Sequence, residues 1–302
     1  MIAPPRHALA ALGGRQPVVL VTGAASGIGL ALARKLQVSG YRTVASARGS
    51  SLTRLSRNGF ADSESFRILP LDVTDDGQRR ELLRRVEGIW GGIDILINNA
   101  GIAFRGVVEH MSEEEELLQQ ATNYLGPMAL CRLVLPHMRR QRWGRILNVS
   151  SVGGMMAMPT MSSYSASKFA LEGATEALWY EMRPWNVRVS LVRPGFVNSD
   201  SFRNVYTPAA QQQTGESVRA YGAYYRHMTG FVERLMRRAV ATPEDVADTI
   251  LRAAARRSPK LRIAATADAR LFHLLRRWLP RHVYHRLLYR FLPGVEDWSP
   301  GD

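Results

Sequence analysis

Tyr164 and Lys168, four positions apart, carry the most distinctive chemistry in this sequence of 302 residues. On a helix, this spacing puts both side chains on one face, with Cβ atoms about 5–6 Å apart. A cation beside a phenol favours the phenolate and lowers a pKa that is ordinarily about 10. The pair is therefore a candidate proton donor and acceptor. The run 145–150 predicts a buried strand that ends in hydroxyls, so Ser150 or Ser151 would reach the same pocket.

A glycine-rich turn near the start of the chain predicts a nucleotide site. Residues 17–21 are apolar and mostly β-branched, as in a buried parallel strand, and 30–36 have a helical pattern. Between them lies Thr22-Gly23-Ala24-Ala25-Ser26-Gly27-Ile28-Gly29. Glycines allow a tight turn and close backbone approach, and the helix N-terminus offers free N–H groups to a pyrophosphate. The sequence therefore predicts a dinucleotide cradle here.

Several ordered motifs together resemble the short-chain dehydrogenase/reductase family. The turn has the form Thr-Gly-x-x-x-Gly-x-Gly, and Tyr-x-x-x-Lys follows Ser151 after thirteen positions, a gap that selects Ser151 over Ser150. Asn-Asn-Ala-Gly at 98–101 and Arg-Pro-Gly-Phe-Val at 193–197 stand at matching positions. The segment 166–173, with the Ser-Val-Gly-Gly run, is similar to the 17β-hydroxysteroid dehydrogenase type 1 and retinol dehydrogenase branch.

The resemblance covers roughly residues 17–200 and continues more loosely to about 265. It implies an α/β fold: one doubly wound, Rossmann-type domain with a mostly parallel sheet and helices on both faces. The expected organisation is a flexible N-terminal tail over 1–16, the domain over 17–265, and a basic amphipathic helical extension over 266–302.

The resemblance also implies a mechanism, in which a hydride moves between nicotinamide C4 and a carbonyl carbon. Tyr164 would give or take the proton on the oxygen, and Lys168 would lower the pKa of Tyr164 and bind the nicotinamide ribose. Ser151 would orient the same oxygen. Asn123, inside a long helix that a capping box opens at Ser112, would distort that helix and hold a relay water. The residues implied to bind the cofactor are Thr22, Gly23, Ser26, Gly27, Ile28, Gly29, Arg48, Asp72, Val73, Asn99, Ala100, Gly101, Tyr164, Lys168, Pro194, Gly195 and Val197. Asn198 departs from the family, which usually has threonine there.

The end of the second predicted strand, 41–46, favours NADP(H) over NAD(H). An NAD-binding relative would have an acidic residue there for the ribose 2′-hydroxyl, but this chain has Ala47 and then Arg48. Arginine can bind a 2′-phosphate, and no carboxylate repels it. If Arg48 is instead a solvated surface residue, NAD(H) remains possible.

The region in front of the pair points to a bulky substrate. Residues 196–235 lack a clean period and match the family's substrate lid, and the loop before Tyr164 carries four methionines, Met155, Met156, Met158 and Met161. Flexible thioethers suit a broad apolar pocket, or they fill irregular gaps in a core. The sequence favours a steroid-, retinoid- or lipid-like alcohol or ketone. The alternative function is a regulatory protein that senses the cofactor without turnover.

The charge of +14 comes almost entirely from arginine. It indicates either a nucleic-acid or anionic-membrane partner or a genome that favours arginine codons, and we prefer the second explanation. Over 271–292 basic residues alternate with leucines and aromatics, so these two short helices would lie on a membrane or cover the domain or a subunit. No motif supports specific nucleic-acid binding, and His273, His282 and His285 lack the company of metal ligands. The lone Cys131 and the lack of a signal peptide or a long apolar run favour a cytoplasmic protein. A homo-oligomer is compatible with the sequence.

Overall fold

A sheet of parallel strands forms the centre of the computed structural model, which describes residues 2–199, 205–213 and 215–298. Within these residues the sheet has seven strands, in the order β3-β2-β1-β4-β5-β6-β7. The strands are β1 Val18–Thr22, β2 Arg42–Ala47, β3 Phe66–Pro70, β4 Ile95–Asn98, β5 Gly144–Val149, β6 Val187–Arg193 and β7 Arg262–Ala264. The order reverses between β1 and β4, and such a switch point is where ligands bind in open α/β sheets. The doubly wound fold predicted from the sequence is confirmed.

Helices cover both faces of this sheet. Alternate residues of β1 face opposite sides, so Val19 and Val21 join one apolar core while Val18 and Leu20 join the other. The first core receives α1 Arg6–Ala11, α2 Gly27–Gln37, α3 Gly49–Arg57 and α10 Pro243–Ala255. The second core receives α4 Asp76–Trp90, α6 Gly126–Arg140 and α7 Ser162–Met182. Each face of the sheet therefore has its own core.

The N-terminal segment differs from the irregular tail expected over 1–16. Residues Arg6–Ala11 form the helix α1, and Ala8 and Leu12 are buried in the first core. The helix forms because these two apolar side chains find a surface to bury, which the sequence of the segment alone does not reveal.

A buried carboxylate ties this segment to the sheet. Arg15 donates two hydrogen bonds to Asp94, at 2.5 and 2.8 Å, and Gln141 and the Val18 N–H donate to it at 2.8 Å each. His137 lies 3.3 Å away. Burial alone would raise the pKa of Asp94, but these hydrogen bonds outweigh burial and lower it to about 2.

The helix predicted from Ser112 is interrupted where Asn123 stands. A capping box between Ser112 and Glu115 opens α5 Glu113–Gln120, as predicted. A π-helical turn, Ala121–Leu125, then leads into α6. The helix is thus widened around Asn123, and single π turns of this kind often occur at functional sites.

The C-terminal third supplies a lid and a cover. The lid region contains α8 Glu216–Ala220 and α9 Gly222–Arg238, while its residues 200–204 and 214 lie outside the described residues. After β7 come α11 Ala267–Trp278 and α12 Arg281–Arg290, which are divided at Pro280 as predicted. None of the helices in the described part of the chain is long and apolar enough to cross a membrane.

Candidate active site

One cavity of about 720 Å³ lies at the carboxyl ends of the strands, where the strand order reverses. Its wall includes the segments that follow each of the strands β1 to β6, residues of α7, and the lid helix α9. Of the residues singled out from the sequence, most line this cavity: Gly23, Ser26, Gly27, Ile28, Arg48, Asp72, Val73, Asn99, Ala100, Gly101, Ser151, Tyr164, Lys168, Pro194, Gly195 and Val197. Three others, Thr22, Gly29 and Asn123, lie behind the wall.

The turn after β1 is shaped by its glycines. Gly23 has a φ of 67°, and a Cβ there would lie 2.9 Å from the Cα of Ala100. A Cβ at Gly29 would lie 2.1 Å from the Gly23 carbonyl oxygen, so α2 could not approach the turn with any larger residue. The side chain of Ser26 makes no capping hydrogen bond, and the first turn of α2 opens to the cavity. These features fit a pyrophosphate at the helix N-terminus.

Hydrogen bonds behind the wall hold this turn against the end of β4. The Thr22 hydroxyl accepts from the N–H groups of Asn99 and Ala100, at 3.0 Å each. The Asn99 amide donates to the Thr22 carbonyl at 3.0 Å, and Asn98 donates to Asn148 at 2.8 Å. Thr22 and the asparagines therefore brace the strands on which the cavity is built.

The far end of the cavity, beyond β2, is basic. Arg48 lines it, as does Arg54, which the sequence did not single out. Arg48 lies 3.5 Å from the Tyr206 hydroxyl. Among the described residues, Asp72 is the one carboxylate in the wall, and it accepts from the Thr74 N–H and hydroxyl at 2.9 and 2.7 Å. The wall here presents two guanidinium groups and no acid at the end of β2.

Tyr164 and Lys168 lie on one face of α7 and open to the cavity, but their electrostatics differ from expectation. Lys168 donates to the Val149 carbonyl at 3.0 Å, and its ammonium lies 5.9 Å from the centre of the Tyr164 ring. Burial raises the pKa of Tyr164, and a hydrogen bond with Ser151 only partly offsets this. Burial lowers the pKa of Lys168 to about 8, against the opposing charge of Glu172. The expected lowering of the Tyr164 pKa by Lys168 is thus not found, because desolvation of the phenol dominates.

The two candidate serines take different directions. The Ser151 hydroxyl accepts from the Gly153 N–H at 3.1 Å and hydrogen-bonds with Tyr164. A Cβ at Gly153 would lie 2.9 Å from the Tyr164 ring, so glycine lets the ring approach. The Ser150 hydroxyl is buried and donates instead to Glu172 at 2.9 Å. Ser151 therefore lies in the cavity wall beside Tyr164, and its catalytic role stays a prediction.

Asn123 lies fully buried behind the loop that follows β4. Its carbonyl oxygen accepts from the Ile102 N–H at 2.9 Å. Its amide donates to the Ile102 carbonyl at 2.9 Å and to the Ser167 hydroxyl at 3.0 Å. A Cβ at Gly101 would lie 3.2 Å from Asn123 and 3.7 Å from the Lys168 ammonium, so both side chains flank that glycine. Asn123 therefore holds the cavity wall close to Lys168.

The four methionines of the loop before Tyr164 divide between the two roles predicted from the sequence, which are lining an apolar pocket and filling the core. Met158 and Met161 line the cavity, as do Met228, Val232 and Met236 of α9. Met155 and Met156 are buried, and Met155 packs with Val152 and with Ala269 of α11. The Met156 sulfur accepts a hydrogen bond from Tyr284 of α12 at 3.5 Å. Half of the loop therefore shapes an apolar pocket, and half fills the core beneath the C-terminal helices.

A buried ion pair supports the site from behind and was missed from the sequence. Arg193, at the end of β6, donates to Glu172 of α7 through Nε at 2.6 Å and through Nη2. Glu172 also accepts from Ser150. One carboxylate thus joins α7, the loop after β5 and the segment after β6. Glu172 lies one helical turn beyond Lys168, and this spacing in the sequence could have identified Glu172 as a residue of the site.

Comparison with known proteins gives consistent matches. A family model described as short chain dehydrogenase matches residues 17–210. The chain is 33% identical over 277 residues to the 3-ketodihydrosphingosine reductase of Bacteroides thetaiotaomicron, covering 91% of this chain and 97% of that protein.

Solved structures agree in fold. A short-chain dehydrogenase from Streptomyces avermitilis superposes with a TM-score of 0.75 and 30% identity, covering 91% of this chain and 97% of that one. A short-chain dehydrogenase/reductase from Burkholderia phymatum in complex with NAD has a TM-score of 0.72 and 28% identity, with 90% and 95% covered. A serine dehydrogenase complexed with NADP+ has a TM-score of 0.68 and 25% identity, with 82% and 93% covered.

Proposed function

The chain belongs to the short-chain dehydrogenase/reductase family, and we propose that it uses NADP(H) to interconvert a lipophilic alcohol and its carbonyl compound. Membership makes it an oxidoreductase that acts on CH–OH groups with a nicotinamide cofactor. One observation carries the finer proposal. The glycine turn, the Ser151–Tyr164–Lys168 group and a methionine-lined end share a single cavity.

Tyr164 acts as the proton donor in this proposal. The bound nicotinamide supplies or accepts the hydride. Because burial raises the pKa of Tyr164, the phenol keeps its proton at neutral pH and can give it to a carbonyl oxygen as that oxygen gains charge. Ser151, hydrogen-bonded to Tyr164, orients the same oxygen, and Lys168 is positively charged below its pKa of about 8. A protonated Tyr164 suits carbonyl reduction as the direction at neutral pH.

The basic end of the cavity supports NADP(H). The Arg48 and Arg54 guanidinium groups would bind a 2′-phosphate, and the glycine turn would hold the pyrophosphate. Asp72, Val73 and 99–101 would border the adenosine, and 194–197 the nicotinamide. NAD(H) remains the alternative, since relatives of this fold bind either one.

The other end of the cavity supports a lipophilic substrate. Four methionines, Met158, Met161, Met228 and Met236, line the cavity, and thioethers adapt to bulky apolar groups. The similarity to a protein named as a reductase of 3-ketodihydrosphingosine points in the same direction. Steroid, retinoid and long-chain ketones are the classes to test.

The decisive experiment is a depletion assay with NADPH and NADH side by side, over a panel of lipophilic and short polar ketones. We expect turnover of lipophilic ketones with NADPH. In Tyr164→Phe it should fall about 10²- to 10⁴-fold while cofactor binding persists. Activity confined to short polar ketones, or a Tyr164→Phe variant that keeps most turnover, would overturn the proposal. No NADPH consumption on any substrate would favour the regulatory, cofactor-sensing alternative.

We further propose that the C-terminal helices bring the enzyme to an anionic membrane surface. Their inner side covers the domain through Ala269 and Tyr284, as one sequence alternative expected. Their outer side exposes Leu271, Leu274 and Trp278 along α11, and Val283, Leu287 and Phe291 along α12. Both sets follow helical spacing, and the sequence from 269 to 295 has six arginines and no acid. An apolar stripe flanked only by cations suits an anionic lipid surface.

Vesicle flotation tests this surface. The protein should float with phosphatidylglycerol vesicles at low salt, less at high salt, and not with phosphatidylcholine alone. Trp278→Ser combined with Phe291→Ser should abolish flotation, whereas Val240→Ser, which changes an exposed valine elsewhere, should not. Absence of flotation at low salt, or a double variant that changes the oligomeric state instead, would contradict the proposal. Cytoplasmic location and homo-oligomer formation stay predictions.

A further inference from the structure

Arg105 is the one charged side chain of the described cavity wall that none of the roles above uses. The other charged residues that line the cavity are Arg48, Arg54, Asp72 and Lys168, all of them already assigned to the cofactor or to proton transfer.

The backbone contacts of this segment put Arg105 at the substrate end. Its own N–H donates to the Tyr206 carbonyl at 2.9 Å, and the next N–H, of Gly106, donates to the Thr160 carbonyl at 3.0 Å. One position further, the Val107 N–H donates to the Tyr225 hydroxyl of α9 at 3.0 Å. Arg105 therefore sits where the methionine loop, the start of the lid and α9 meet.

The guanidinium group of Arg105 has no partner in the described part of the chain. Its Nε is buried without a hydrogen bond, and no carboxylate there lies within 4.0 Å. Burial lowers the pKa of Arg105, and the charge of Glu233 on α9 only partly offsets this. Elsewhere in the core the buried Arg79 and Arg193 each pair with an acid, and the buried Arg145 donates to the carbonyls of Gly144 and Arg256, whereas no hydrogen bond to the Arg105 side chain is found among the described residues. A half-buried cation left unpaired in a cavity wall is unfavourable unless a ligand supplies the missing charge.

We propose that Arg105 binds an anionic oxygen group of the substrate, a carboxylate or a phosphate monoester. The substrate is then a lipophilic ketone or alcohol that also carries an acid. The planar guanidinium matches either group with paired N–H donors, and it disfavours a substrate amine. This inference rests on the proposed function, because it assigns a second recognition element to the same pocket.

The experiment compares matched substrates with NADPH: a long-chain oxo acid, its methyl ester, the corresponding oxo alkyl phosphate and the oxo amine. We expect kcat/KM for one of the anions to exceed that for the ester by about 10- to 100-fold, mainly through KM. In Arg105→Gln this ratio should fall to about one, and in Arg105→Lys it should be intermediate. Arg234→Gln, an exposed arginine of α9 outside the wall, should leave the ratio unchanged. Preference for carboxylate or for phosphate identifies the group.

Two results would overturn the inference. The first is a wild-type enzyme that turns over the ester as well as both anions. The second is a loss of activity on the acid and the ester alike in Arg105→Gln, together with the same loss in Glu233→Gln. That result would mean that the two residues only hold the lid in place. If no ketone is turned over, the proposed function fails separately. Thermal stabilisation by a long-chain fatty acid and by an alkyl phosphate, against the matching alcohol, then decides the inference. The inference is supported if either anion raises the melting temperature of the wild type and Arg105→Gln removes this effect. It is refuted if the anions and the alcohol raise the melting temperature equally.

Discussion

Glu172→Gln should destabilise the protein strongly, because it removes the charge that balances a buried arginine. The side chains of Glu172 and Arg193 are only 7% and 8% exposed. Glutamine keeps the shape and one acceptor, so Ser150 and Arg193 retain part of their hydrogen bonding. The charge of Arg193 is then compensated only by groups further away.

The magnitude follows from this burial. Removing one partner of a buried ion pair costs about 3–5 kcal/mol, and the acceptor that glutamine retains argues for the lower end, about 3 kcal/mol. Glu176→Gln is the matched control on the same helix. Its partner is Arg262 at 2.6 Å, but the two side chains are 38% and 33% exposed, so its loss should cost about 0–1 kcal/mol.

Urea unfolding of both variants measures the difference, with midpoint and slope compared to the wild type. Replacing Glu172 and Arg193 together by methionine should recover most of the loss, because the buried charge of Arg193 is then removed together with its partner. The reasoning fails if Glu172→Gln costs under about 1 kcal/mol, or no more than Glu176→Gln.

Three further predictions concern cofactor choice and pH. Arg48→Ala should raise KM for NADPH about 10- to 100-fold and change KM for NADH little. The control Arg57→Ala, outside the cavity, should change neither KM, and equal effects of Arg48→Ala on both cofactors would contradict the assignment. Because the pKa of Lys168 is about 8, kcat should fall as pH rises through that value, and Lys168→Arg should move the fall upward; a flat profile between about pH 7 and 10 would count against a role for the ammonium. Because the folded-state pKa of Asp94 is about 2 against an ordinary 3.8, its stabilisation of about 2 kcal/mol should be complete above pH 3.8 and vanish as pH falls through 2. Acid-unfolding curves of wild type and Asp94→Asn should converge there, and a constant gap down to pH 2 would refute this.

The strands and the cofactor turn could be predicted closely from the sequence. The predicted strand over 17–21 is observed as Val18–Thr22, and the predicted strand over 41–46 as Arg42–Ala47. Strands of a parallel sheet are buried on both faces, so their sequences are continuous apolar runs. Such runs can be recognised from the local sequence alone. The Ser151–Tyr164–Lys168 group was accessible for a similar reason, since its spacing is fixed within one strand, loop and helix.

The features that escaped depend on contacts between distant parts of the chain. Arg15 and Asp94 are 79 positions apart, and nothing near either residue signals the other. The four methionines of the loop have no period that separates pocket from core, because α11, α12 and α9 decide their surroundings. The pKa of Tyr164 escaped too, since the spacing to Lys168 was visible in the sequence but the desolvation of the ring was not.

The π-helical turn lets one continuous helix serve two neighbours that lie at different angles around its axis. Before and within the turn, Gln119 and Asn123 hydrogen-bond to the main chain at 102–104, while α6 beyond it packs Leu130 and Val134 onto the sheet. An inserted residue shifts the phase of a helix by about 100°. Deleting one residue from Ala121–Leu125 would restore regular α-helix but misalign one half. The length of this segment is therefore constrained more tightly than its composition, and an indel here should be harder to accommodate than a substitution.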